Sequence, residues 1–176
     1  MRVQDLVFLD EFGAATNMAQ PRARGRRGER VVCKTPHGHW KSLSTVAAMT
    51  VDGMLTAVTF DGPVNAEAFA GFVGQFLAPL LRPGQVLILD NLSAHKSAEA
   101  ERLVAAAGAR VMRLPPYSPD FNPIEQAFSK VKAALRKAAA RTVATLIDAI
   151  GPARRSVTAS DAANYMRDSG YVARPS

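Results

Sequence analysis

Three acidic residues of this sequence stand where secondary-structure elements are predicted to begin or end. Asp10 closes the apolar run of residues 6–9, and Asp90 closes the apolar run of residues 86–89. Glu125 lies at the predicted start of a later helix. Carboxylates at strand ends and at a helix start can converge above one edge of a sheet. Because Mg²⁺ prefers hard oxygen ligands, such a trio suits a site in which two metal ions promote phosphoryl transfer.

Each of these carboxylates also has a simpler interpretation. Taken alone, Asp10 or Asp90 fits an aspartate that caps a turn or a helix as well as it fits a metal ligand. Glu125 stands three residues after Asn122, which is the spacing of a capping box in which the glutamate binds backbone amides. The spacing by itself leaves the choice open.

The strands that would carry two of the acids belong to a predicted mixed sheet. Strands are predicted at residues 3–9, 42–50, 54–60, 86–89 and 109–114. Asp52-Gly53 separates the second from the third, and this dipeptide is typical of hairpin turns. A helix of small residues over 97–107 separates the last two strands, which predicts a parallel pair with a right-handed crossover.

Helical patterns account for most of the remaining chain. Residues 65–81 carry apolar side chains at three- and four-residue steps, including Phe76 and Leu80, and so predict one amphipathic helix. Asn122 is predicted to cap a helix that has Pro123 in its first position. Two further helices are predicted at about 142–157 and 159–167. The predicted fold class is α/β, with a mixed central sheet flanked by helices.

Basic residues are concentrated in two places, in a chain whose formal net charge is +7. The first is a Gly- and Pro-containing segment, expected to be part of a mobile loop at about residues 20–40, with Arg22, Arg24, Arg26, Arg27 and Arg30. The second is the helix that follows Glu125, with Lys130, Lys132, Arg136 and Lys137. Both sets are candidate DNA-binding residues, and for both the alternative is a solvated charged surface.

Overall composition predicts a single globular domain. The chain has 176 residues, 48% of them hydrophobic and 21% charged, which is ordinary for a folded domain of this size. One cysteine excludes an internal disulfide and any multi-cysteine zinc site, as expected for a reducing cytoplasm. The sequence shows no signal peptide and no long apolar stretch, so we expect no membrane partner. Net positive charge favours nucleic acid as the partner.

Three segments of the sequence resemble one family. FLDE, LILDNLSAHKS and LPPYSPDFNPIEQAFSKVK are similar to the signature blocks of DDE transposase domains in bacterial insertion sequences of the IS-six-thirty branch, within the Tc/mariner superfamily. In that family 34 residues separate the second and third catalytic acids, and 34 residues lie between Asp90 and Glu125. The resemblance implies an RNase H-like fold in which Asp10, Asp90 and Glu125 are both the catalytic and the metal-binding residues.

The same resemblance implies a mechanism and partners. Two Mg²⁺ ions per site, replaceable by Mn²⁺, would support nicking at transposon ends and joining of the freed ends to target DNA. A homodimer is expected, and mariner-type relatives carry a clamp loop at the position of the arginine segment. Such a protein is expected in the bacterial cytoplasm, associated with the nucleoid.

Three residues beside the acids are expected to support the site. Glu11 should point to the sheet face opposite Asp10 and assist through a salt bridge rather than as a ligand. Asn91 and His95 match the family block after the second acid, where they would orient metal-bound water or contact a phosphate. The alternatives are helix capping for Asn91 and an exposed helix-flanking position for His95.

The sequence departs from full-length transposases of this type at its beginning. Those proteins carry N-terminal helix-turn-helix domains, and none precedes Met1. We expect recognition of transposon ends to depend on an upstream-frame helix-turn-helix protein or on fusion to one. The alternative functions are a non-catalytic DNA-binding or dimerisation remnant that modulates full-length transposase, and a general RNase H-like nuclease that acts on RNA–DNA hybrids.

Overall fold

A computed structural model describes residues 2–22, 24–32, 38–90, 97–116 and 118–171 of the chain. Within these residues five strands form one sheet, and they are β1 (Leu6–Ala15), β2 (Ser42–Thr50), β3 (Gly53–Asp61), β4 (Val86–Leu89) and β5 (Arg110–Arg113). The order across the sheet is β3-β2-β1-β4-β5. β2 runs antiparallel to β1 and β3, whereas β4 runs parallel to β1 and β5. The predicted mixed sheet is confirmed.

Helices cover both faces of this sheet. They are α1 (Ala66–Phe72), α2 (Ala98–Ala106), α3 (Ile124–Ala138), α4 (Val143–Arg155) and α5 (Ala159–Asp168). One buried cluster joins α1 and α2 to the sheet, and a second cluster joins α3, α4 and α5 to the opposite face. The central sheet with flanking helices is therefore as predicted.

Alternation along β1 assigns its side chains to the two faces. Val7 and Leu9 belong to the cluster with α1 and α2, whereas Phe8 and Phe12 belong to the cluster with α3. Successive side chains of a strand point to opposite faces. Asp10 lies between Phe8 and Phe12 in this alternation, so its side chain is on the α3 face of the sheet.

Two predicted elements differ from the structure. Residues 3–5 form a 3-10 turn, and the first strand runs from Leu6 to Ala15. The prediction that Asp10 ends this strand was wrong, because β1 continues for five residues beyond it in its pairing with β2. The helix predicted over 65–81 continues from α1 into a π-helical turn, Val73–Leu77, and a 3-10 turn, Ala78–Leu80. Those turns change the angle between successive side chains, so the apolar stripe does not stay on the core side. Phe76 and Leu80, predicted to be in that stripe, are 44% and 47% exposed.

The hairpin and the parallel pairing of β4 with β5 agree with the sequence. β2 and β3 are joined through Asp52-Gly53, and Gly53 has a φ of 120°, which residues with a side chain rarely adopt. Ser97 caps α2 through a hydrogen bond from the amide of Ala100. Among the described helices, none has both the length and the apolar character required to cross a bilayer.

Candidate active site

The strands that precede or carry the first two predicted acids are neighbours in the sheet. β1 and β4 run parallel, and their last described pair is Phe8 with Ile88. Asp10 and Asp90 each follow that pair by two residues. Val86 and Ile88 face the α3 side of the sheet, as Phe8 does. Both acids therefore follow the same end of the β1–β4 pairing.

Asp10 is held by two hydrogen bonds. Its side chain is buried, with the residue only 5% exposed. The backbone amide of Glu11 donates to Asp10 Oδ1 at 2.7 Å, and Asn122 Nδ2 donates to Asp10 Oδ2 at 2.7 Å. Buried charges need such donors, because burial removes the water that would otherwise solvate them. The Asn122 bond ties the strand of the first acid to the loop that precedes the third.

The prediction that Asn122 caps α3 was wrong. The N-cap position is Pro123, without a side-chain capping bond, and the Asn122 side chain turns to Asp10 instead. The capping box suggested for Glu125 is also absent. Within the described chain the Glu125 carboxylate makes no hydrogen bond or ion pair, and it is exposed in the first turn of α3. A carboxylate at a helix N-terminus is stabilised by the helix dipole.

Packing of α3 against β1 sets the position of Glu125. Ile124, the residue before it, is completely buried. One turn later Phe128 packs on Phe12 of β1, with ring centroids 4.7 Å apart. Because both anchors lie within the first two turns of α3, the start of the helix and its glutamate are fixed over the part of β1 that carries Asp10.

The three predicted acids do not form a coordination sphere in this structure. Within the described ranges, no group of three or more His, Cys, Asp and Glu side chains is close enough to hold a metal ion. Their donor chemistry nevertheless fits Mg²⁺ or Mn²⁺, since all three supply hard carboxylate oxygens. Carboxylates brought together without a cation repel one another, which opposes closer approach.

An open cleft of about 400 Å³ adjoins Glu125. Asp120 and Asp168 also line it, together with Asn122. Three carboxylates around one cleft give this part of a basic chain a local negative charge. Such a charge favours cations at the position where the third metal ligand was predicted.

The end of the described chain supports the loop before Asn122. Tyr171 follows α5, and its hydroxyl donates to the backbone oxygen of Phe121 at 2.9 Å. Its ring packs edge-on against Phe8 of β1, with centroids 4.9 Å apart. Burial raises the pKa of Tyr171, so its hydroxyl remains a donor at neutral pH. Tyr171 therefore joins β1 to the loop that carries Asn122.

Tyr171→Phe should lower the melting temperature by about 2–4 °C, because it removes one hydrogen bond worth about 1 kcal/mol and keeps the ring. Tyr165→Phe is the matched control, since Tyr165 packs partly against the same core and donates no hydrogen bond within the described chain. Thermal unfolding of both variants measures the difference. Equal melting temperatures for the two variants would mean that the bond to Phe121 contributes nothing.

The supporting residues predicted beside the acids are only partly within the described chain. Glu11 alternates with Leu9, which faces the α1 and α2 side, so it lies on the face opposite Asp10 as expected. Its backbone amide, rather than its side chain, contacts Asp10. Asn91 and His95 fall outside the residues that the structure describes.

The basic residues of α3 divide between two sides of the helix. Lys132 and Arg136 follow Glu125 by seven and eleven positions. At about 3.6 residues per turn, that spacing aligns them with Glu125 on one side of the helix. Lys137 is exposed on the other side. A polyanion that reached Glu125 could therefore continue along Lys132 and Arg136.

Lys130 has a structural partner on α5. Its Nζ contacts Asp161 Oδ2 at 2.6 Å. The hydrogen bond from Lys130, with further bonds from the amide and hydroxyl of Thr158, lowers the pKa of Asp161 to about 2. The ion pair is thus formed at neutral pH and joins α3 to α5. The ammonium of Lys130, a candidate DNA-binding residue, thus has a partner within the protein.

The segment with the five predicted arginines connects β1 to β2, and hydrogen bonds join its two ends where they meet the sheet. The Thr16 amide donates to Lys41 O at 3.0 Å, and the Lys41 amide donates to Thr16 Oγ1 at 3.2 Å. Arg141 Nη1 donates to the backbone oxygens of Thr16 and Met18. The described residues of 20–32 contain no helix or strand and are exposed, including all five predicted arginines.

Solved transposase structures share this fold. The structure titled Mos1 transposase paired-end complex with left transposon end is 15% identical, with a TM-score of 0.76 over 94% of this chain and 52% of that one. The Mos1 mariner paired end complex with Mn is 14% identical, with a TM-score of 0.71 over 94% and 52%. The catalytic domain of Mos1 mariner transposase is 12% identical, with a TM-score of 0.66 over 94% and 76%.

These similarities define the class of the fold. A mixed five-stranded sheet with flanking helices that matches these transposases is RNase H-like. The chain spans about half the length of the transposase chains in the paired-end complexes. Residues 5–147 match the family described as DDE superfamily endonuclease, and the chain therefore belongs to that family. No curated protein matches the sequence.

Proposed function

We propose that this chain is the catalytic domain of an insertion-sequence transposase of the IS-six-thirty branch, which cleaves DNA and transfers the cleaved strand to a target. The observation that supports this most directly is the hydrogen bond from Asn122 to Asp10. It connects the proposed first acid to the loop before the proposed third acid, and Asp90 follows β4, the parallel neighbour of the strand that carries Asp10. Membership of the DDE superfamily endonuclease family supplies the reaction class.

Asp10, Asp90 and Glu125 would hold two divalent ions, Mg²⁺ or its substitute Mn²⁺. When bound, the ions would activate the attacking oxygen and stabilise the leaving oxygen at phosphorus. One of the transposase structures similar to this chain contains Mn. The carboxylate of Glu125 is exposed at the edge of an acidic cleft. Of the three acids, Glu125 would therefore be the least hindered in moving toward an incoming cation.

The protein itself would orient DNA and its own acids. Asn122 fixes the carboxylate plane of Asp10, and packing of α3 on β1 fixes the start of the helix that bears Glu125. Lys132 and Arg136 would bind phosphates of the strand that enters beside Glu125. Correct placement of reacting groups is a large part of phosphoryl-transfer catalysis.

DNA is the proposed partner, as transposon ends and as target. One Mos1 structure similar to this chain is a paired-end complex with a left transposon end. We further propose a homodimer, in which the arginine segment acts as a clamp, and recognition of ends through an upstream-frame helix-turn-helix protein or a fusion. The site of action would be the bacterial cytoplasm and its nucleoid.

A non-catalytic DNA-binding remnant is the second candidate. It is favoured by the lack of a three-residue metal site within the described ranges. In that case the arginines and lysines would bind DNA, and the acids would be relics of a former site. Such a protein would bind DNA equally well with and without divalent ions.

Cleavage of DNA by the purified chain separates the two candidates. We expect supercoiled plasmid to be nicked in Mn²⁺ or Mg²⁺ and left intact in EDTA, and a duplex with a free 3′-OH to be joined to plasmid under the same conditions. The control is DNA binding by gel shift with and without metal. Intact plasmid in both metals, with unchanged DNA binding, would support the remnant.

A further inference from the structure

Asp90 directly follows the last paired residue of β4. The described pairing of β1 with β4 ends at Phe8 and Ile88, two residues before Asp90. The pairing of β4 with β5 ends at Leu89 and Arg113, and is closed by a bond from the Leu114 amide to Leu89 O at 2.8 Å. Asp90 therefore lies one residue beyond the last described ladder pair.

Arg113 contacts Asp90 from the neighbouring strand. Its Nη1 donates to the backbone oxygen of Asp90 at 3.4 Å. The bond is long, but its donor is charged, and charge strengthens a hydrogen bond to a carbonyl. The guanidinium thus contacts the main chain at the proposed metal ligand itself.

A second anchor holds the same guanidinium. Arg113 Nη2 contacts Glu101 Oε1 at 2.5 Å, and Glu101 lies in the first turn of α2. The chain that connects β4 to α2 runs from Asp90 to the cap Ser97. Arg113 consequently fastens both ends of that connection, one through Asp90 and the other through Glu101.

We infer that Arg113, anchored by Glu101, is a positioning residue that holds the Asp90 backbone in the geometry required for metal binding. The inference rests on the proposed function, since it assumes that Asp90 is a metal ligand. Arginine suits this role because the N–H groups of its planar guanidinium can donate to two acceptors at once. Displacement of a ligand by about 1 Å is enough to cost about 100-fold in rate.

A positioning role predicts a loss of activity without a loss of stability. The Arg113 and Glu101 side chains are 25% and 49% exposed, and exposed ion pairs add little to stability. Arg113→Gln should lower kcat for plasmid nicking about 10- to 100-fold and raise the Mn²⁺ concentration for half-maximal rate several-fold. Affinity for DNA and the melting temperature should stay unchanged.

Three further variants define the role. Glu101→Gln should also raise the Mn²⁺ concentration for half-maximal rate, but by less than Arg113→Gln. Arg113→Lys should nick faster than Arg113→Gln because it keeps the positive charge, and more slowly than the wild type because it lacks the planar guanidinium. Arg102→Gln is the control, since it breaks the exposed pair with Glu99 on the same helix. A loss of DNA affinity with an unchanged Mn²⁺ dependence would overturn the inference, because Arg113 would then be a DNA contact.

Hydrogen exchange distinguishes failure of this inference from failure of the proposed function. The amides of Leu89, Asp90 and Leu114 should exchange several-fold faster in Arg113→Gln than in the wild type and in Arg102→Gln. If the wild type cleaves no DNA, the proposed function fails, yet faster exchange would still establish the contact. Unchanged exchange in Arg113→Gln would overturn the positioning role whatever the activity.

Discussion

Asp10→Asn, Asp90→Asn and Glu125→Gln should each reduce metal-dependent nicking by at least about 10³-fold, and only the first should also destabilise the fold. The loss of activity follows from the proposed role of the three carboxylates as metal ligands. Each replacement removes a negative ligand, and metal ions contribute several kcal/mol of transition-state stabilisation, with about 1.4 kcal/mol for each tenfold change in rate.

The difference in stability follows from what each carboxylate contacts. Both oxygens of Asp10 accept a hydrogen bond, one from the Glu11 amide and one from Asn122 Nδ2. An asparagine side chain at this position has one oxygen acceptor and one NH₂ donor. Its NH₂ group would therefore face the N–H of Glu11 or of Asn122, and no hydrogen bond could form there. Leaving a buried donor unsatisfied costs about 1–3 kcal/mol. Asp10→Asn should therefore lower the melting temperature by about 2–12 °C.

Asp90 and Glu125 should behave differently from Asp10. Glu125 is exposed and Asp90 is partly exposed. Removing either charge also relieves repulsion among neighbouring carboxylates. We expect melting temperatures within about 2 °C of the wild type for Asp90→Asn and Glu125→Gln, as for most surface substitutions.

Nicking and thermal unfolding of the same preparations test both parts of this prediction. Asp148→Asn is the matched control, because Asp148 is an exposed carboxylate of α4 that does not line the cleft beside Glu125. It should nick DNA at a rate within a fewfold of the wild type. Any one of the three variants that cleaves as fast as Asp148→Asn would show that its residue is not a catalytic ligand.

The strands that precede or carry the first two acids could be predicted from the sequence, because strands follow from short-range patterns. The apolar runs before Asp10 and Asp90 were long enough to indicate strands, and a strand-helix-strand order predicted that β4 and β5 are parallel. The end of β1 was placed too early, since the strand continues past Asp10 to Ala15. What remained was the pairing of β1 with β4. That pairing joins residues about 80 positions apart, and no local pattern specifies such a neighbour.

The partner of Asp10 could not be predicted for a related reason. Asn122 stands before a proline and a helix, at a position where asparagine commonly caps the helix. This local role accounted for the residue, so nothing in the sequence indicated a distant partner. Its true acceptor lies 112 positions earlier in the chain. Leaving the buried Asp10 carboxylate without a hydrogen-bond donor costs more free energy than leaving a solvated helix end uncapped, so the tertiary contact prevails over the local preference. The ion pair between Lys130 and Asp161 was missed in the same way.

The irregular helical turns after α1 could not be predicted for a different reason. Apolar residues at three- and four-residue steps predicted one continuous stripe, and Phe76 and Leu80 satisfied that pattern. The π-helical turn at Val73–Leu77 alters the phase, which leaves these two side chains partly exposed. Hydrophobic periodicity assumes a constant angle per residue and so cannot detect a local change in it.

Neutralising Arg24, Arg26 and Arg27 together, each to Ser, should weaken DNA binding about ten- to a hundredfold at moderate salt and leave the fold unchanged. Each phosphate contact that is lost lowers the slope of log affinity against log salt by about 0.9, so the slope should fall by about 2–3. The three side chains are exposed and lie in a segment without helix or strand. They are therefore free to contact a polyanion.

Stability should not change, because the ends of this segment are held by other residues. Thr16 and Lys41 are bonded to each other, and Arg141 binds the backbone of Thr16 and Met18. None of these contacts uses a mutated arginine. The melting temperature should stay within about 2 °C of the wild type. A larger decrease would show that the arginines pack against the domain.

A second triple variant separates a local contact from the effect of net charge. Arg102, Arg154 and Arg155 lie on α2 and α4, and changing them to Ser removes the same three charges from +7. Affinity measured over a range of salt concentrations should fall steeply for the loop variant and little for the helix variant. Equal losses would mean that the segment attracts DNA only through the overall charge. If the loop variant also sediments as a smaller species than the wild type, the segment joins two copies of the chain, because loss of phosphate contacts alone would not change the mass of the free protein.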